Sequence, residues 1–470
     1  MNKKKIFLLL PDGIGLRNFG YSDFYKKSKD KNFEIVFWNS TPFPLTDLGF
    51  SEIKINNSKL HPLTDSYKNA KVQVEFNLNI KRTKDKIYNR YRFPFSYNTL
   101  KSAVKSVLVH FITLTHSSTW GLLRIRRKII ENERKTLYYK QSLKTLQKEK
   151  PALVFCSNQR HITTVAPLIA AKDLGIPTAT FIFSWDNLPK ATMVVDTDYY
   201  FVWSDFMKEE LQFYYPSIKS KQILVTGSPQ FEMHFDKNNF QTKEIFFRQN
   251  GLDLAKKYIC FSGNDITSSP DDPKYLEDIA KAVRELNSNG NNIGVIFRRS
   301  PVDFSGRFNS VLDNYAEEVV FMNPLWNALS TSWNSILPTI EDNILFSNLA
   351  EHSELVITIG SSTVFDFIAH KKPTGYLKYN QKIQLNKKWD IHKCYGFVHF
   401  RSMPSKDVVF WIDNPEQMPV AILNALSNNE KTLKEAQKWF EKINQYPPEK
   451  ASERIWEAIS TILQDNNLKR

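Results

Sequence analysis

The feature that most constrains this chain is an alternation that runs once, breaks and restarts. Short apolar runs at residues 5–10, 33–38, 152–156, 178–183, 199–203 and 222–226 are separated by helical stretches such as 163–174 and 206–213. Apolar strands alternating with helices predict a parallel sheet covered on both faces. A polar stretch at 236–249 interrupts the pattern. It resumes with a run at 258–262, a helix at 275–287 and a strand at 293–297. A run at 343–346, a helical piece at 347–353, a strand at 355–359, a helix at 363–369 and a strand at 374–377 follow. The tail, 431–464, reads as helical with a break at Pro447-Pro448. The expected class is therefore α/β: two doubly wound, Rossmann-like domains facing a cleft. The first spans 1–240 with a basic helical insert at 81–150, and the second spans 250–450. A C-terminal helix at 451–470 can pack back on the first domain.

Composition supports large cores. The 470 residues are 41% apolar and 13% aromatic, which excludes a disordered chain. Three cysteines, Cys156, Cys260 and Cys394, lie too far apart in sequence for a disulfide framework or a CxxC zinc site, so a reducing cytosol is expected. The five apolar residues after Lys5 stop at Pro11-Asp12-Gly13, short of a secretory core, and read as a first buried strand. The uncharged stretch 106–123 carries His110 and His116 with several hydroxyls, a poor spanning helix.

The net charge of +15 is concentrated. Residues 81–150 hold 18 Lys and Arg against 4 Asp and Glu, 18 − 4 = +14. Such a segment predicts an anionic partner on one face. Leu100, Val104, Val107, Leu108, Phe111 and Leu114 fall on one helical face with Lys101 and Lys105 beside it. Arg124, Arg126, Arg127 and Lys128 open a second helical run reaching about residue 148. An anionic membrane surface, placing the protein peripherally on the inner face of the cell membrane, weighs evenly against a solvated helical face. No helix-turn-helix, zinc or RNP signature supports nucleic acid as the partner.

Ligands of doubly wound sheets bind at the carboxyl ends of strands, so polar residues there are the site candidates. Gly360-Ser361-Ser362-Thr363 turns a strand into a helix and offers hydroxyls and N–H groups to a phosphate, or merely caps that helix. Arg298 and Arg299 leave a strand before Ser300-Pro301, and their planar forks suit phosphate oxygens, or pair with nearby acids. Ser262-Gly263-Asn264 lets a ligand approach the backbone. Trp185-Asp186-Asn187 follows another strand; Asp186 fits a general base or an Asx-turn. Arg160-His161 makes His161 a second catalytic candidate. Gly13, Gly15 and Gly20 do not have dinucleotide-fingerprint spacing, which weakens a nicotinamide reading. Asp196-Thr197-Asp198 matches a metal-site pattern but precedes its strand, and reads as structural.

In order along 152–401, these elements resemble the GT-B superfamily, and within it bacterial surface-glycan transferases related to CDP-glycerol glycerophosphotransferases of teichoic-acid type. Ser184-Trp185-Asp186-Asn187-Leu188, Val202-Trp203-Ser204 and Val225-Thr226-Gly227-Ser228-Pro229-Gln230-Phe231 are similar to one run of these enzymes. Phe297-Arg298-Arg299-Ser300-Pro301 resembles their arginine-proline element, Gly360-Ser361-Ser362-Thr363 with Lys372-Pro373 their donor-phosphate turn, and His399-Phe400-Arg401 a further element. Two departures matter: Asp186 stands where those transferases carry a catalytic His, and Ser300 where their arginine-proline element has its His.

The resemblance implies a nucleotide-sugar donor on the C-terminal domain, held by Ser262, Gly263, Asn264, Arg298, Ser300, Gly360, Ser361, Ser362, Thr363, Asp366, His399 and Arg401. It implies a glycan or lipid-linked acceptor on the N-terminal domain, met by Asp12, Arg17, Trp185 and Asn187. No cofactor and no metal is expected. The expectation is thus a metal-independent glycosyltransferase of bacterial surface polysaccharide synthesis. The alternatives are a CDP-polyol phosphotransferase, a nucleotide-sugar epimerase of the same fold, and a basic RNA-binding protein.

Overall fold

A computed structural model describes residues 3–330 and 335–467. The chain divides into two units: one runs to Pro229 and takes up the chain again from Lys450, and the other is Gln230–Glu449.

The first unit is built on seven parallel strands: β1 (Lys4–Leu10), β2 (Phe33–Asn39), β3 (Glu52–Lys54), β4 (Leu153–Cys156), β5 (Thr178–Phe181), β6 (Tyr199–Val202) and β7 (Ile223–Val225). Their order is β3-β2-β1-β4-β5-β6-β7. Strand β1 is central, with Leu8 opposite both Phe37 and Phe155, and residues 6–10 fully buried. The order reverses between β1 and β4, because the chain builds outward to β3 and then returns. Four helices fill that return: Thr64–Thr83, Leu100–His116, Thr119–Glu133 and Leu137–Glu149. The helical run expected to continue to about 148 breaks after Glu133, where Thr136 caps a new helix by accepting the N–H of Tyr139 at 3.1 Å. The C-terminal helix Ala451–Asn467 belongs to this unit. Its Trp456 is sandwiched between Phe24 (4.7 Å) and Phe33 (5.1 Å), and its indole donates to the Phe24 carbonyl at 2.9 Å.

The second unit repeats the plan with β8 (Lys257–Ser262), β9 (Ile293–Arg298), β10 (Val319–Phe321), β13 (Leu355–Thr358), β14 (Thr374–Leu377) and β15 (Phe410–Ile412), a small antiparallel pair of β11 (Asn327–Ala328) and β12 (Ile336–Leu337) lying apart. The main sheet is parallel with order β10-β9-β8-β13-β14-β15, and its reversal falls between β8 and β13. The run 343–346 is not a strand; it lies inside the helix Ile340–His352. Thr339 caps that helix and Glu341 and Asp342 occupy its first turn, which overrides a short apolar run. Residues 230–249 side with this unit rather than the first: Phe246 and Phe247 bury against Tyr258 and Leu349, and the Gln241 N–H donates to Asn348 at 2.8 Å.

Among the described residues, no helix is long and apolar enough to cross a membrane.

Candidate functional site

In sheets of this order the loops leaving the two strands at the reversal diverge, and the crevice between them receives ligands. In the first unit those loops follow β1 and β4, and they bring together Asp12 and His161. The two lie 149 residues apart in sequence (161 − 12). Asp12 Oδ2 is 3.0 Å from His161 Nε2 and accepts the Asn158 amide at 2.7 Å, while Oδ1 accepts the Gly15 N–H at 3.2 Å. Asp12 is 4% exposed. Burial alone would raise its pKa, but His161, Asn158 and the Gly15 N–H outweigh it and hold the carboxyl below its ordinary range. An ionised Asp12 takes the imidazole hydrogen on Nε2, which leaves the lone pair on Nδ1 of a ring about a quarter exposed. A Cβ on Gly15 would stand 2.5 Å from Leu10 Cδ1 and 2.6 Å from Ser157 Oγ, so a larger residue there would have to displace both side chains.

Asn158 and Gln159 were missed in the sequence reading, although the uninterrupted polar run Ser157-Asn158-Gln159-Arg160-His161 after a strand was the available signal. Asn158 Oδ1 accepts the Arg160 N–H at 3.0 Å and so shapes the loop that carries His161. Gln159 accepts the Phe183 N–H at 2.9 Å and donates to Asn187 at 3.3 Å and Thr192 at 3.2 Å, tying the loop after β4 to the loop after β5.

The loop after β5 holds Asp186, expected as a general base. One oxygen is ion-paired with Lys190 and the other accepts the Asn187 amide at 2.9 Å. The local sequence builds this pair: the turn Leu188–Lys190 brings the ammonium back onto a carboxylate four residues earlier. Trp185 and Asn187, expected at the acceptor, are 3% and 2% exposed, and Asn187 takes part in the hydrogen bonds of the loop. Arg17 is half-buried with its Nε donating to Asn18 at 3.2 Å.

In the second unit the reversal lies between β8 and β13, and the structure joins several candidates there. Thr358 Oγ1 donates to the Ser262 carbonyl at 2.9 Å, and the Gly263 N–H donates to the Arg298 carbonyl at 2.9 Å. Gly360 has φ +57°, and a Cβ there would come within 3.0 Å of Phe400. That contact sets His399-Phe400-Arg401 against the Gly360 turn. Ser361 Oγ lies 2.8 Å from Thr363 Oγ1 and accepts the Thr363 N–H at 3.3 Å, so it caps the following helix; Ser362 and Arg401 are exposed. The Asn264 N–H donates to Asp272, whose pKa is pushed up to about 7 by burial. Ser300 is buried.

Arg298, expected at the donor, lies against a carboxylate: one guanidinium nitrogen is 2.8 Å from both oxygens of Asp342, and the two side chains are 8% and 6% exposed. Asp342 also accepts the Leu325 N–H at 2.7 Å and the Trp326 indole at 2.6 Å. The pair staples the end of β9 to the helix Ile340–His352.

Asp366, likewise expected at the donor, is engaged elsewhere: its Oδ1 lies 3.0 Å from His234 Nε2. His234 Nδ1 is 2.9 Å from His370 Nε2, and His370 Nδ1 is 2.7 Å from Glu351 Oε2, forming one row of carboxylate, two buried imidazoles and a solvent-facing carboxylate. Among the basic candidates, Lys101, Lys105, Arg124, Arg127 and Lys128 are exposed. Arg126 is not a surface cation. It pairs with Glu75 at 3.1 Å and Asp196 at 3.3 Å. Asp198 accepts the N–H and hydroxyl of Thr178 at 2.9 and 2.7 Å, so the Asp196–Asp198 pair is structural. Among the described residues no group of three or more His, Cys, Asp and Glu is placed to hold a metal ion.

No protein family and no curated protein matches the chain by sequence. Solved structures do match over nearly all of it. A Staphylococcus aureus MnaA–UDP complex aligns over 98% of this chain and 97% of its own, at 14% identity and TM-score 0.53. A UDP-GlcNAc 2-epimerase from Methanocaldococcus jannaschii covers 98% and 99%, at 14% identity and TM-score 0.51. A glycosyltransferase from Rickettsia africae covers 99% and 99%, at 11% identity and TM-score 0.51. The wall teichoic acid polymerase TagF, as its H444N variant, covers 100% and 91%, at 12% identity and TM-score 0.50. Two parallel sheets, each reversing beside its first strand, together with full-length similarity to these structures, establish the fold as GT-B type, built from two Rossmann-like units.

Proposed function

We propose that this protein is a glycosyltransferase that moves a sugar from a nucleotide-activated donor to a glycan or lipid-linked acceptor in bacterial surface polysaccharide synthesis. The observation that carries the reading is the Asp12–His161 pair at the reversal of the first sheet, where a ligand crevice belongs. Nδ1 of His161 would take the proton of the acceptor hydroxyl as its oxygen bonds to the anomeric carbon and the nucleoside diphosphate departs. Ionised Asp12 would then stabilise the imidazolium. Taken by itself, the second unit offers Ser362, the backbone N–H groups around Gly360 and Arg401 to the phosphates of a nucleotide.

Support for a nucleotide ligand comes from the ligands bound by similar folds: UDP in the MnaA complex and UDP-GlcNAc in a Neisseria meningitidis 2-epimerase (TM-score 0.50). The 2-epimerases of this fold favour a second reading, a nucleotide-sugar epimerase, and the similarity to a wall teichoic acid polymerase favours a third, a CDP-polyol phosphotransferase.

Thermal shift against UDP, CDP, GDP, CMP and TDP identifies the base; a ligand at 100 times its Kd adds about 2.7 kcal/mol. Product analysis with and without acceptor then separates transfer from epimerisation. His161→Ala should cut turnover by ~10²–10⁴-fold while the nucleotide still raises the melting temperature. Full turnover in His161→Ala, or no thermal response to any nucleotide, refutes the reading.

A further inference from the structure

The helix Leu100–His116 carries two apolar faces, and only one is used. Val109 and Ile112 point into the core of the first unit, packed with Val74, Ile125 and Val165. Leu100, Val104, Val107, Phe111 and Leu114 point outward, each at least 60% exposed. Their spacing of four, three, four and three residues makes one straight stripe, about 21 Å long at 1.5 Å per residue. A contiguous apolar stripe of this kind on a water-facing helix marks an interaction surface rather than ordinary surface scatter.

The stripe has neighbours of the same character. Phe93, 86% exposed, precedes the helix, and Trp120, 78% exposed, follows it. Trp120 is held there by a tight junction: Ser118 caps the next helix through the Gly121 N–H at 3.0 Å. Gly121 sits so close to the His116 carbonyl that a Cβ would stand 2.2 Å from it. A cavity of about 700 Å³ opens at this junction, lined by Trp120, Leu122, Leu78, Leu188 and Tyr214. Leu188 is on the same loop as Asp186.

Charge selects the occupant. Residues 86–130 contain nine Lys and Arg and no Asp or Glu. Arg126 is paired inside the fold, and the exposed Lys105 and Lys128 are paired with Asp65 and Glu131; Lys101 beside the first half of the stripe and Arg124 and Arg127 on the next helix are exposed as well. A second copy of this chain docked face to face would bring like charges together, and a nucleic acid would leave the apolar stripe without a role. A bilayer containing anionic lipid satisfies both, taking the apolar side chains at the headgroup boundary and the cations among the phosphates. From these observations we propose that the helix Leu100–His116 and the start of Thr119–Glu133 form a docking face for an anionic membrane surface.

The test is co-sedimentation of the full chain with vesicles of phosphatidylcholine alone or with about one-third phosphatidylglycerol. Binding is expected to the anionic vesicles only, and to fall at least ~10-fold in ~0.5 M salt. It should fall comparably in Val107→Asp/Phe111→Asp, with the circular dichroism spectrum unchanged. If that variant folds poorly, Arg124→Gln/Arg127→Gln carries the same expectation, since both side chains are exposed. Four results overturn the proposal: no vesicle binding; equal binding to neutral and anionic vesicles; binding unchanged in these variants; or a dimer, seen by light scattering without vesicle binding, that Val107→Asp/Phe111→Asp dissolves. The last would give the face to a second copy.

Discussion

Removing Arg298 should damage the fold before it damages ligand binding, and removing its partner should damage the fold more. In Arg298→Ala, Asp342 stays buried but keeps two donors, the Leu325 N–H at 2.7 Å and the Trp326 indole at 2.6 Å. In Asp342→Ala, Arg298 is left as an uncompensated buried cation, already carrying one buried guanidinium nitrogen with no hydrogen-bond partner. Those two donors also lose their acceptor. Breaking a buried pair from one side costs about 3–5 kcal/mol. The retained donors place Arg298→Ala at the low end, and the orphaned groups place Asp342→Ala at or above the high end. For a unit of this size, with each kcal/mol worth about 2–4 °C, the losses are ~6–12 °C and ~10–20 °C. Differential scanning calorimetry of the full chain reads both, and the ratio of the two shifts is the sharper observable. Arg298→Ala with unchanged melting but abolished nucleotide response would refute the argument and return Arg298 to the ligand. Equal shifts for the two variants would refute the account of what Asp342 holds.

Asp186→Asn should leave turnover within about threefold of the parent, because the residue is held in an ion pair with Lys190; a ~10²-fold loss of kcat would make it the base instead of His161. Asp272 gives a pH dependence of definite sign. Its folded pKa, raised to about 7 by burial, lies above the unfolded value, so the folded state binds more protons between about pH 4 and 7. Stability is therefore present in full below pH 4, declines as pH rises to 7 and is flat beyond. Denaturation midpoints across that range should show the decline, and Asp272→Asn should abolish it; an unaltered profile in the variant sinks the assignment.

Strands long or apolar enough to stand out were legible. The parallel plan of both units, and ten of the thirteen strands of the two main sheets, followed from periodicity alone. The missed ones are short edge strands: Glu52–Lys54, Val319–Phe321 and Phe410–Ile412 are three residues each, too short for a period to show even where the residues are β-branched and aromatic. At the site, residues that act through near neighbours in sequence could be read. Those that act through distant ones could not. Arg298 looked like a phosphate ligand because Asp342, 44 residues on, gives no sign of being its partner. Asp366 looked available because His234 comes 132 residues earlier. Asp12 and His161 were noticed separately, and only the adjacency of β1 and β4 made them one pair. The stripe at Leu100–Leu114 was seen as an apolar face, but a helical wheel does not say which of two faces a fold will bury.

The row Asp366–His234–His370–Glu351 implies a count of hydrogens. It has three contacts, at 3.0, 2.9 and 2.7 Å, and each needs one hydrogen between its heavy atoms. Two neutral imidazoles bring only two. Two ring lone pairs facing each other at 2.9 Å would repel, so the contact between the imidazoles holds only while a hydrogen lies between them. Burial lowers the pKa of His370, with Glu351 opposing the shift and His234 reinforcing it. A segment of the chain that enters the unit at Gln230 is thus fastened to the helix Thr363–Ile368 by a row of shared hydrogens rather than by apolar packing alone.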